Sequence, residues 1–298
     1  MIYTVTLNPS LDYHLRTSAL ITGATNRASS ESLTLGGKGI NVSLMLTRLG
    51  MPNVAWGFVA GFTGDELCRR MSEAGLSHDM IRLDEGMTRI NVKLHHGDET
   101  EINGVGASIP SAALEALKEK IAALVGGDIL VLSGSVPSGL PKGIYADIMG
   151  LAADRGLRFV VDAEGDALKA TLPRHPFLVK PNLRELSALA GRDLTTRDDV
   201  ISAAEDLRLA GAQNVLVSMG KWGAILLDGD GGIHVSPAVG GTPINTVGAG
   251  DSMVAGFLVG LTEGYAQALR MGLAAGGATA CSEGIGSREA VLSLYRMA

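Results

Sequence analysis

The sequence has few cysteines, few aromatic residues and no long apolar run. Cys68 and Cys281 are the two cysteines in 298 residues, and neither lies in a CxxC motif, so we expect neither a disulfide framework nor a zinc site. No segment approaches the roughly 18 consecutive apolar residues of a membrane-spanning helix. The first residues, MIYTVTLNPSLD, also lack the apolar core of a signal peptide. We therefore expect a cytoplasmic protein with no membrane partner.

An excess of positive charge is missing as well. The formal net charge is −6, whereas binding to nucleic acid requires clustered lysine and arginine, so no nucleic-acid partner is expected. Hydrophobic residues make up 46% of the chain and charged residues 19%, which is typical of a globular protein. We find no repeat and no linker, and we expect a single domain over residues 1–298.

Apolar runs alternate with segments of helical periodicity along most of the chain, which is typical of a sheet covered by helices. The predicted strands are 2–7, 54–59, 129–133, 159–162, 177–180 and 215–218. The predicted helices are 42–49, 66–74, 112–124, 143–153, 183–189, 200–209 and 252–261. Because the strands are almost continuously apolar, we predict an α/β fold with a mainly parallel central sheet.

Two segments break this alternation. Residues 12–35 and 88–102 show short alternating patterns joined by polar turns, and HHGD at 95–98 indicates a hairpin. We predict that these segments form a small β-rich lid on the main domain.

The stretch NTVGAGDSMVAGF, residues 245–257, places small residues directly before Asp251. Asp251 can simply cap the predicted helix that follows. A cap needs at most one glycine, however, and Gly248, Ala249 and Gly250 leave three successive amides unobstructed, as in an anion hole. A carboxylate beside such a hole can accept a proton from a hydroxyl that attacks a phosphoryl group. Both interpretations remain open at this point.

GGKGINV, residues 36–42, is a second glycine-rich turn. It matches neither the G-x-x-x-x-G-K-[ST] phosphate loop nor the G-x-G-x-x-G dinucleotide motif, which argues against an NAD-dependent oxidoreductase. The turn carries one cation, Lys38, and one amide side chain, Asn41. These residues suit an anionic or hydroxyl-rich small ligand.

Two further motifs follow predicted strands. In VKPNLREL, residues 179–186, Asn182 and Glu185 have the spacing of a capping box, but they can also direct oxygen atoms toward a hydrated Mg²⁺. Lys180 would then neutralise nucleotide phosphates. VSMGKWGAIL, residues 217–226, is either a plain hairpin or a nucleotide contact at the carboxyl end of a strand.

These motifs, together with TLNPSLD at 6–12 and SGSVPSGLP at 133–141, resemble the phosphofructokinase-B carbohydrate kinases in the order that the family has them. Within this family, TRINVKL and ETEINGVG are similar to segments of bacterial 1-phosphofructokinases and, next, of tagatose-6-phosphate kinases. The resemblance implies a ribokinase-like three-layer sandwich with a small β lid. It also implies ATP-dependent phosphorylation of D-fructose 1-phosphate at the 6-hydroxyl, with Mg²⁺ required.

The same resemblance implies a role for each matching residue. Asp251 would be the general base, beside an anion hole of Gly248, Ala249 and Gly250. The substrate would be held by Asp12, Gly37 and Asn41 at its hydroxyls and by Arg27, Lys38, Arg89 and Lys93 at its phosphate. ATP would lie along Lys180, Ser218, Met219, Gly220, Lys221, Trp222, Gly223 and Gly250.

Asn182 and Glu185 would hold Mg²⁺ through water, and the lid would form a homodimer. Tagatose 6-phosphate and fructose 6-phosphate remain alternative substrates. A regulator that binds sugar or nucleotide without catalysis remains the alternative outside enzymes.

Overall fold

A computed structural model of the protein describes residues 1–97 and 99–297. In these ranges the strands are β1 (Ile2–Thr6), β2 (Ser10–Arg16), β3 (Ser30–Gly36), β4 (Asn53–Ala60), β5 (Ile81–Leu83), β6 (Arg89–His95), β7 (Glu99–Asn103), β8 (Ile129–Ser133), β9 (Arg158–Asp162), β10 (Leu178–Val179), β11 (Asn214–Ser218), β12 (Ala224–Leu227) and β13 (Ile233–Ser236). The helices are α1 (Lys38–Arg48), α2 (Gly61–Glu73), α3 (Ser111–Ala122), α4 (Ile144–Leu151), α5 (Gly165–Thr171), α6 (Leu183–Ala190), α7 (Arg197–Leu209), α8 (Ala249–Gly260), α9 (Tyr265–Ala280) and α10 (Arg288–Met297).

The large sheet has the strand order β13-β12-β11-β10-β9-β8-β1-β4-β5. Neighbouring strands from β5 to β11 run parallel, whereas β12 and β13 are antiparallel additions at one edge. The prediction of a mainly parallel central sheet is confirmed. Because the parallel strands share a direction, the carboxyl ends of β1, β8, β9 and β10 lie along one edge of the sheet.

Helices cover both faces of this sheet. Leu130 and Leu132 of β8 pack into one apolar cluster with residues of α3, α4 and α7, while Val131 between them packs into another with residues of α1, α8 and α9. Successive side chains of a strand point to opposite faces, so each strand contributes to both cores. The fold is thus a three-layer α/β sandwich, as the resemblance implied.

A second sheet forms the lid, with the order β3-β2-β6-β7. Strand β2 pairs antiparallel with β3 and parallel with β6, and β6 pairs antiparallel with β7. These strands arise from the two segments in which a lid was predicted. The hairpin predicted at HHGD includes residue 98, which lies outside the described residues.

Several boundaries differ from the prediction, chiefly at helix starts. Helix α1 begins at Lys38 rather than at 42, α2 at Gly61 rather than at 66, and α8 at Ala249 rather than at 252. The first turns of these helices contain glycine and polar residues, so they carry no apolar periodicity. Strand β10 is also shorter than predicted.

The sequence reasoning missed β5, β13, α5, α9 and α10, and it offered β12 only as one arm of a possible hairpin. Helix α9 is the most instructive, because almost its whole circumference is buried between α8 and α10. A helix that is apolar all round lacks the polar stripe by which periodicity is recognised. None of the helices in the described ranges is long and apolar enough to cross a membrane.

Helices α8 and α9 approach each other closely at Gly256. A Cβ atom on Gly256 would lie 2.4 Å from the carbonyl oxygen of Met271 and 2.9 Å from the Cα atom of Gly272. These neighbours are backbone atoms, which cannot move without shifting α9. The contact therefore fixes how α8, which begins at the cavity described below, lies on the sheet.

We expect Gly256→Ala to destabilise the protein by about 1–3 kcal/mol, because the added methyl group overpacks a backbone contact. Urea unfolding measures this difference. Gly284→Ala is the control, since an added Cβ there meets open space among the described residues, and its effect should stay within about 0.5 kcal/mol. Equal stabilities of the two variants would contradict the close contact.

Candidate active site

A cavity of about 910 Å³ lies between the lid and the carboxyl edge of the large sheet. It brings together most of the predicted site residues, namely Asp12, Gly37, Lys38, Asn41, Arg89, Lys180, Asn182, Glu185, Ser218, Gly220, Lys221, Gly223, Gly248, Ala249, Gly250 and Asp251. The side chains of Arg27, Lys93, Met219 and Trp222 lie outside its lining. The cavity is large enough for two small ligands side by side.

Asp251 lies in the first turn of α8 and does not cap it. The N-cap is Gly248, whose φ of 78° lies in the left-handed region that favours glycine. Two residues separate the cap from Asp251, so Asp251 is not the N-cap, although its place in the first turn fits the interpretation that it stabilises the helix through the dipole. The carboxylate instead benefits from the positive end of the helix dipole while remaining available to a ligand.

The Asp251 carboxylate is buried, with 5% of the residue exposed, and its Oδ2 accepts a hydrogen bond of 2.8 Å from Asn41 Nδ2. Burial, and then the negative charge of Asp162, raise the pKa of Asp251 to about 6. Lys38, Asn41 and Lys180 act in the opposite direction. Asp251 is therefore ionised at neutral pH yet holds a proton more readily than an exposed carboxylate, as a general base requires.

The start of α8 also offers backbone amides to the cavity. Of the three predicted donors, Ala249 N donates to Thr246 O at 3.2 Å. The first amides of a helix have no acceptor within the helix, which leaves those of Gly250 and Asp251 for a ligand. Lys180 Nζ lies 3.0 Å from the position that a Cβ atom on Gly250 would occupy, so a cation lies directly against these amides.

Asp162, the last residue of β9, joins the two lysines of the cavity. Its Oδ1 lies 3.2 Å from Lys38 Nζ and 3.5 Å from Lys180 Nζ. Burial alone would raise the pKa of Asp162, but Lys180 and Lys38 hold it below the ordinary value. For Lys38, burial favours the neutral form, but Asp162, Asp251 and other carboxylates raise the pKa. The sequence reasoning missed Asp162, although a carboxylate at the end of a buried strand was a usable signal.

On the lid side, Asp12 is held by neighbours that the sequence reasoning did not single out. Asp12 Oδ1 accepts hydrogen bonds from Ser10 Oγ at 2.8 Å and Asn91 Nδ2 at 2.9 Å. Asn91 Oδ1 in turn accepts a bond of 3.2 Å from Gly104 N. The network fixes the Asp12 carboxylate at the base of the lid, where it lines the cavity.

The predicted phosphate-binding cations occupy different places. Arg89 lines the cavity, and its guanidinium group donates to Asn8 O at 3.1 Å and Gly104 O at 3.5 Å. Lys93 is buried and pairs with Glu101 at 2.5 Å, and Arg27 is exposed between β2 and β3. Lys38 and Arg89 therefore line the cavity near the lid, where they can bind an anion. That Lys93 and Arg27 bind the phosphate of the substrate stays a prediction.

Asn182 and Glu185 form the capping box of α6. Glu185 N donates to Asn182 Oδ1 at 2.9 Å, and Asn182 N donates to Glu185 Oε2 at 2.7 Å. Burial raises the pKa of Glu185 against the lowering effect of this bond. Both residues also line the cavity, and one oxygen of Glu185 lies outside the box. Capping and ligand binding are therefore compatible here.

The motif at 217–226 forms the antiparallel hairpin of β11 and β12. A short 3₁₀ turn, Gly220–Trp222, connects the strands, and Lys221 Nζ lies 4.9 Å from the centre of the Trp222 ring. Ser218, Gly220, Lys221 and Gly223 line the end of the cavity away from the lid. The hairpin interpretation is confirmed, and the turn still reaches the cavity.

We expect Asp251→Asn to stabilise the fold at high pH. The pKa of Asp251 rises from 3.8 to about 6 on folding, so the ionised carboxylate destabilises the native state above that pH. The gain from Asn should be on the order of 1–3 kcal/mol at pH 8 and should vanish below about pH 4. Thermal unfolding across this range measures it, with exposed Asp154→Asn as the control. A melting temperature of Asp251→Asn that does not change relative to wild type between pH 4 and pH 8 would contradict the burial argument.

Comparison with known proteins shows which family shares this sequence and fold. The model of the pfkB family carbohydrate kinases matches residues 6–290. The chain is 42% identical over 296 residues to 1-phosphofructokinase of Bacillus subtilis, covering 99% of this chain and 97% of that one. It is 37% identical over 290 residues to D-tagatose-1-phosphate kinase of Bacillus licheniformis, covering 96% and 94%.

A crystal structure of phosphofructokinase-2 from Escherichia coli in complex with fructose-6-phosphate has the same fold, with a TM-score of 0.92 and 32% identity. The match covers 99% of this chain and 98% of that chain. The resemblance of the motifs, the three-layer fold and these similarities agree. The chain belongs to the pfkB family of carbohydrate kinases and is an ATP-dependent sugar-phosphate kinase.

Proposed function

We propose that the protein phosphorylates D-fructose 1-phosphate at its 6-hydroxyl, forming fructose 1,6-bisphosphate and ADP. Buried Asp251, bonded to Asn41 at the start of α8 and next to Lys180, carries the proposal. This arrangement places a base and an anion-binding helix terminus at one point of the cavity. The similarity to 1-phosphofructokinases favours fructose 1-phosphate as the acceptor.

In the proposed reaction, Asp251 removes the proton of the attacking hydroxyl as the new oxygen–phosphorus bond forms and the bond from the γ-phosphorus to the bridging oxygen of ATP breaks, releasing ADP. Asn41 fixes one carboxylate oxygen of Asp251, and the amides at the start of α8 stabilise the negative charge of the transferred phosphoryl group. Lys180 adds a positive charge at the same place. Because phosphoryl transfer depends mainly on alignment and charge stabilisation, these groups suffice for the protein part of the mechanism.

The two ligands enter from opposite ends of the cavity. Asp12, Gly37 and Asn41 hold the sugar hydroxyls under the lid, and Lys38 with Arg89 binds the phosphate that the sugar already carries. Ser218, Gly220, Lys221 and Gly223 lie along ATP at the other end. Both ligands then meet at Asp251 and Gly250.

Mg²⁺ is part of this proposal. The described residues contain no group of three or more His, Cys, Asp or Glu side chains that could hold a metal ion by themselves. Mg²⁺ suits such a site, because it keeps several waters and binds chiefly to nucleotide phosphates. Glu185 and Asn182 fit as oxygen groups that orient these waters. The ion supplies charge neutralisation on the phosphates when it is bound.

The lid is proposed to form a homodimer. Ile102 at its edge strand β7 is 59% exposed, an apolar surface that a second copy would cover. The related phosphofructokinase-2 of Escherichia coli has a structure described as a tetrameric inhibited form, so a larger assembly is the alternative. Light scattering in solution distinguishes the two.

An ADP-release assay with ATP and Mg²⁺ tests the acceptor. We expect kcat/KM to be highest for fructose 1-phosphate among fructose 1-phosphate, fructose 6-phosphate, tagatose 6-phosphate and tagatose 1-phosphate. Asp251→Asn should lower kcat by about 10²–10⁴-fold, because a general base acts in the transition state. Equal rates on all four sugar phosphates would contradict the proposal that fructose 1-phosphate is the preferred acceptor. Tight sugar binding without ADP release would favour a regulator.

Arg89→Ala tests the site for the existing phosphate. We expect the KM for fructose 1-phosphate to rise roughly 10- to 100-fold through loss of a charged hydrogen bond, with little change for unphosphorylated fructose. Arg82→Ala is the matched control, since Arg82 is exposed and pairs with Asp65 on the surface. If Arg89→Ala affects both sugars equally, Arg89 does not contact the phosphate.

A further inference from the structure

The two lysines of the cavity reach Asp162 from different parts of the fold. Lys38 is the first residue of α1, directly after the lid strand β3, and Lys180 follows β10. Both ammonium groups contact the same oxygen, Oδ1, of a residue that is 1% exposed. Because neither β9 nor the buried carboxylate can move freely, Asp162 fixes both positive charges at the sheet edge.

This position matters because of what lies on either side of the lysines. Lys180 lies against the backbone of Gly250, at the amides that would receive the phosphoryl group. Asp251 carries the negative charge next to those amides in the sequence. It accepts its hydrogen bond from Asn41, which is neutral, and not from a lysine. The lysines thus contact Asp162, while the base keeps a neutral partner.

Lys180 is buried, with 4% of the residue exposed, and leaving a buried lysine without an opposite charge costs several kcal/mol in general. If Asp162 were neutral, Asp251 would be the buried carboxylate left near both lysines, although Lys38, whose side chain is 31% exposed, would keep Glu164 at 3.7 Å as a partner. An ammonium group bound to Asp251 would compete with the substrate hydroxyl and make the carboxylate a weaker base.

We propose that Asp162 is a positioning residue that holds Lys38 and Lys180 at the sheet edge and keeps them off Asp251. The inference rests on the proposed function in treating Asp251 as the base. It goes beyond that function because it assigns to Asp162, which need not touch the substrate, the task of keeping the two lysines apart from Asp251.

The charged groups around Asp251 come from three elements. They are Lys38 of α1, Asp162 of β9 and Lys180 after β10, while Glu185 of α6 and the exposed Glu164 face Lys38. Loss of the Asp162 charge removes its repulsion of Asp251 and leaves Lys38 and Lys180 free to attract Asp251 more strongly. Both changes lower the pKa of Asp251, so their directions agree.

The test is the titration of the Asp251 carboxyl carbon by ¹³C NMR in ligand-free protein, with the signal assigned by its absence in Asp251→Asn. We expect Asp162→Asn to lower the titration midpoint by about one pH unit or more. In Lys180→Met the midpoint should rise instead, because an attraction is lost. Asp166→Asn is the control, since Asp166 forms an exposed pair with Lys142 at 2.9 Å.

This titration needs no substrate, so its result does not depend on which sugar is the acceptor. Kinetics supply the second readout. We expect kcat of Asp162→Asn to fall about 10- to 100-fold, as misplacement of charged groups typically causes, with an unchanged Mg²⁺ requirement. The loss should be smaller when Asp162→Asn is added to Lys180→Met, because the two residues act together.

Three results would overturn the proposal. The first is a titration midpoint of Asp251 that does not move in Asp162→Asn. The second, which still applies if that variant fails to fold, is a midpoint that does not rise in Lys180→Met. The third is an Asp162→Asn variant that needs a higher Mg²⁺ concentration for half-maximal rate while the titration midpoint of Asp251 stays normal. Asp162 Oδ2 is buried and has no hydrogen-bond partner among the described residues, so this result would assign it to the metal.

Discussion

The arrangement of the cavity depends on one buried charge, the carboxylate of Asp251. A carboxylate removed from water is costly unless nearby groups compensate for the lost hydration. The start of α8, the amide of Asn41 and the lysines held by Asp162 provide this compensation. They come from α1, β9, the turn after β10 and α8, so Asp251 is stabilised only when distant parts of the chain have assembled.

The same charges explain why the compensation is incomplete. Asp162 attracts the two lysines and repels Asp251, so Asp251 is ionised at neutral pH but binds a proton more readily than an exposed carboxylate. A site that satisfied Asp251 fully would leave it with little affinity for a proton. The cavity therefore leaves part of the cost of this buried charge uncompensated at Asp251.

The parts of the site carried by continuous motifs could be predicted from the sequence. Asp251, Lys38 and Asn41 lie in glycine-rich turns that mark close approach of the backbone to a ligand. Asn91 could not be found in this way, because its importance comes from sheet register. Asp162 had a signal of its own, its place at the end of a buried strand, but its partners also follow from the fold. Ser133 pairs with Asp162, and Asp12 pairs with Asn91, across large separations in sequence. Helix α9 escaped prediction for a different reason, since burial on all sides removes the periodicity that identifies a helix.

The connection between the lid and the main domain has a mechanical consequence. Strand β3 ends at Gly36, and α1 begins at Lys38, so one residue, Gly37, separates the lid from the helix that carries Lys38 and Asn41. A tilt of the lid would reach Asn41, the hydrogen-bond partner of Asp251, through this short link. The lid sheet and the hydrogen bond to Asp251 are therefore coupled through the backbone itself, with Gly37 as the one residue between β3 and α1.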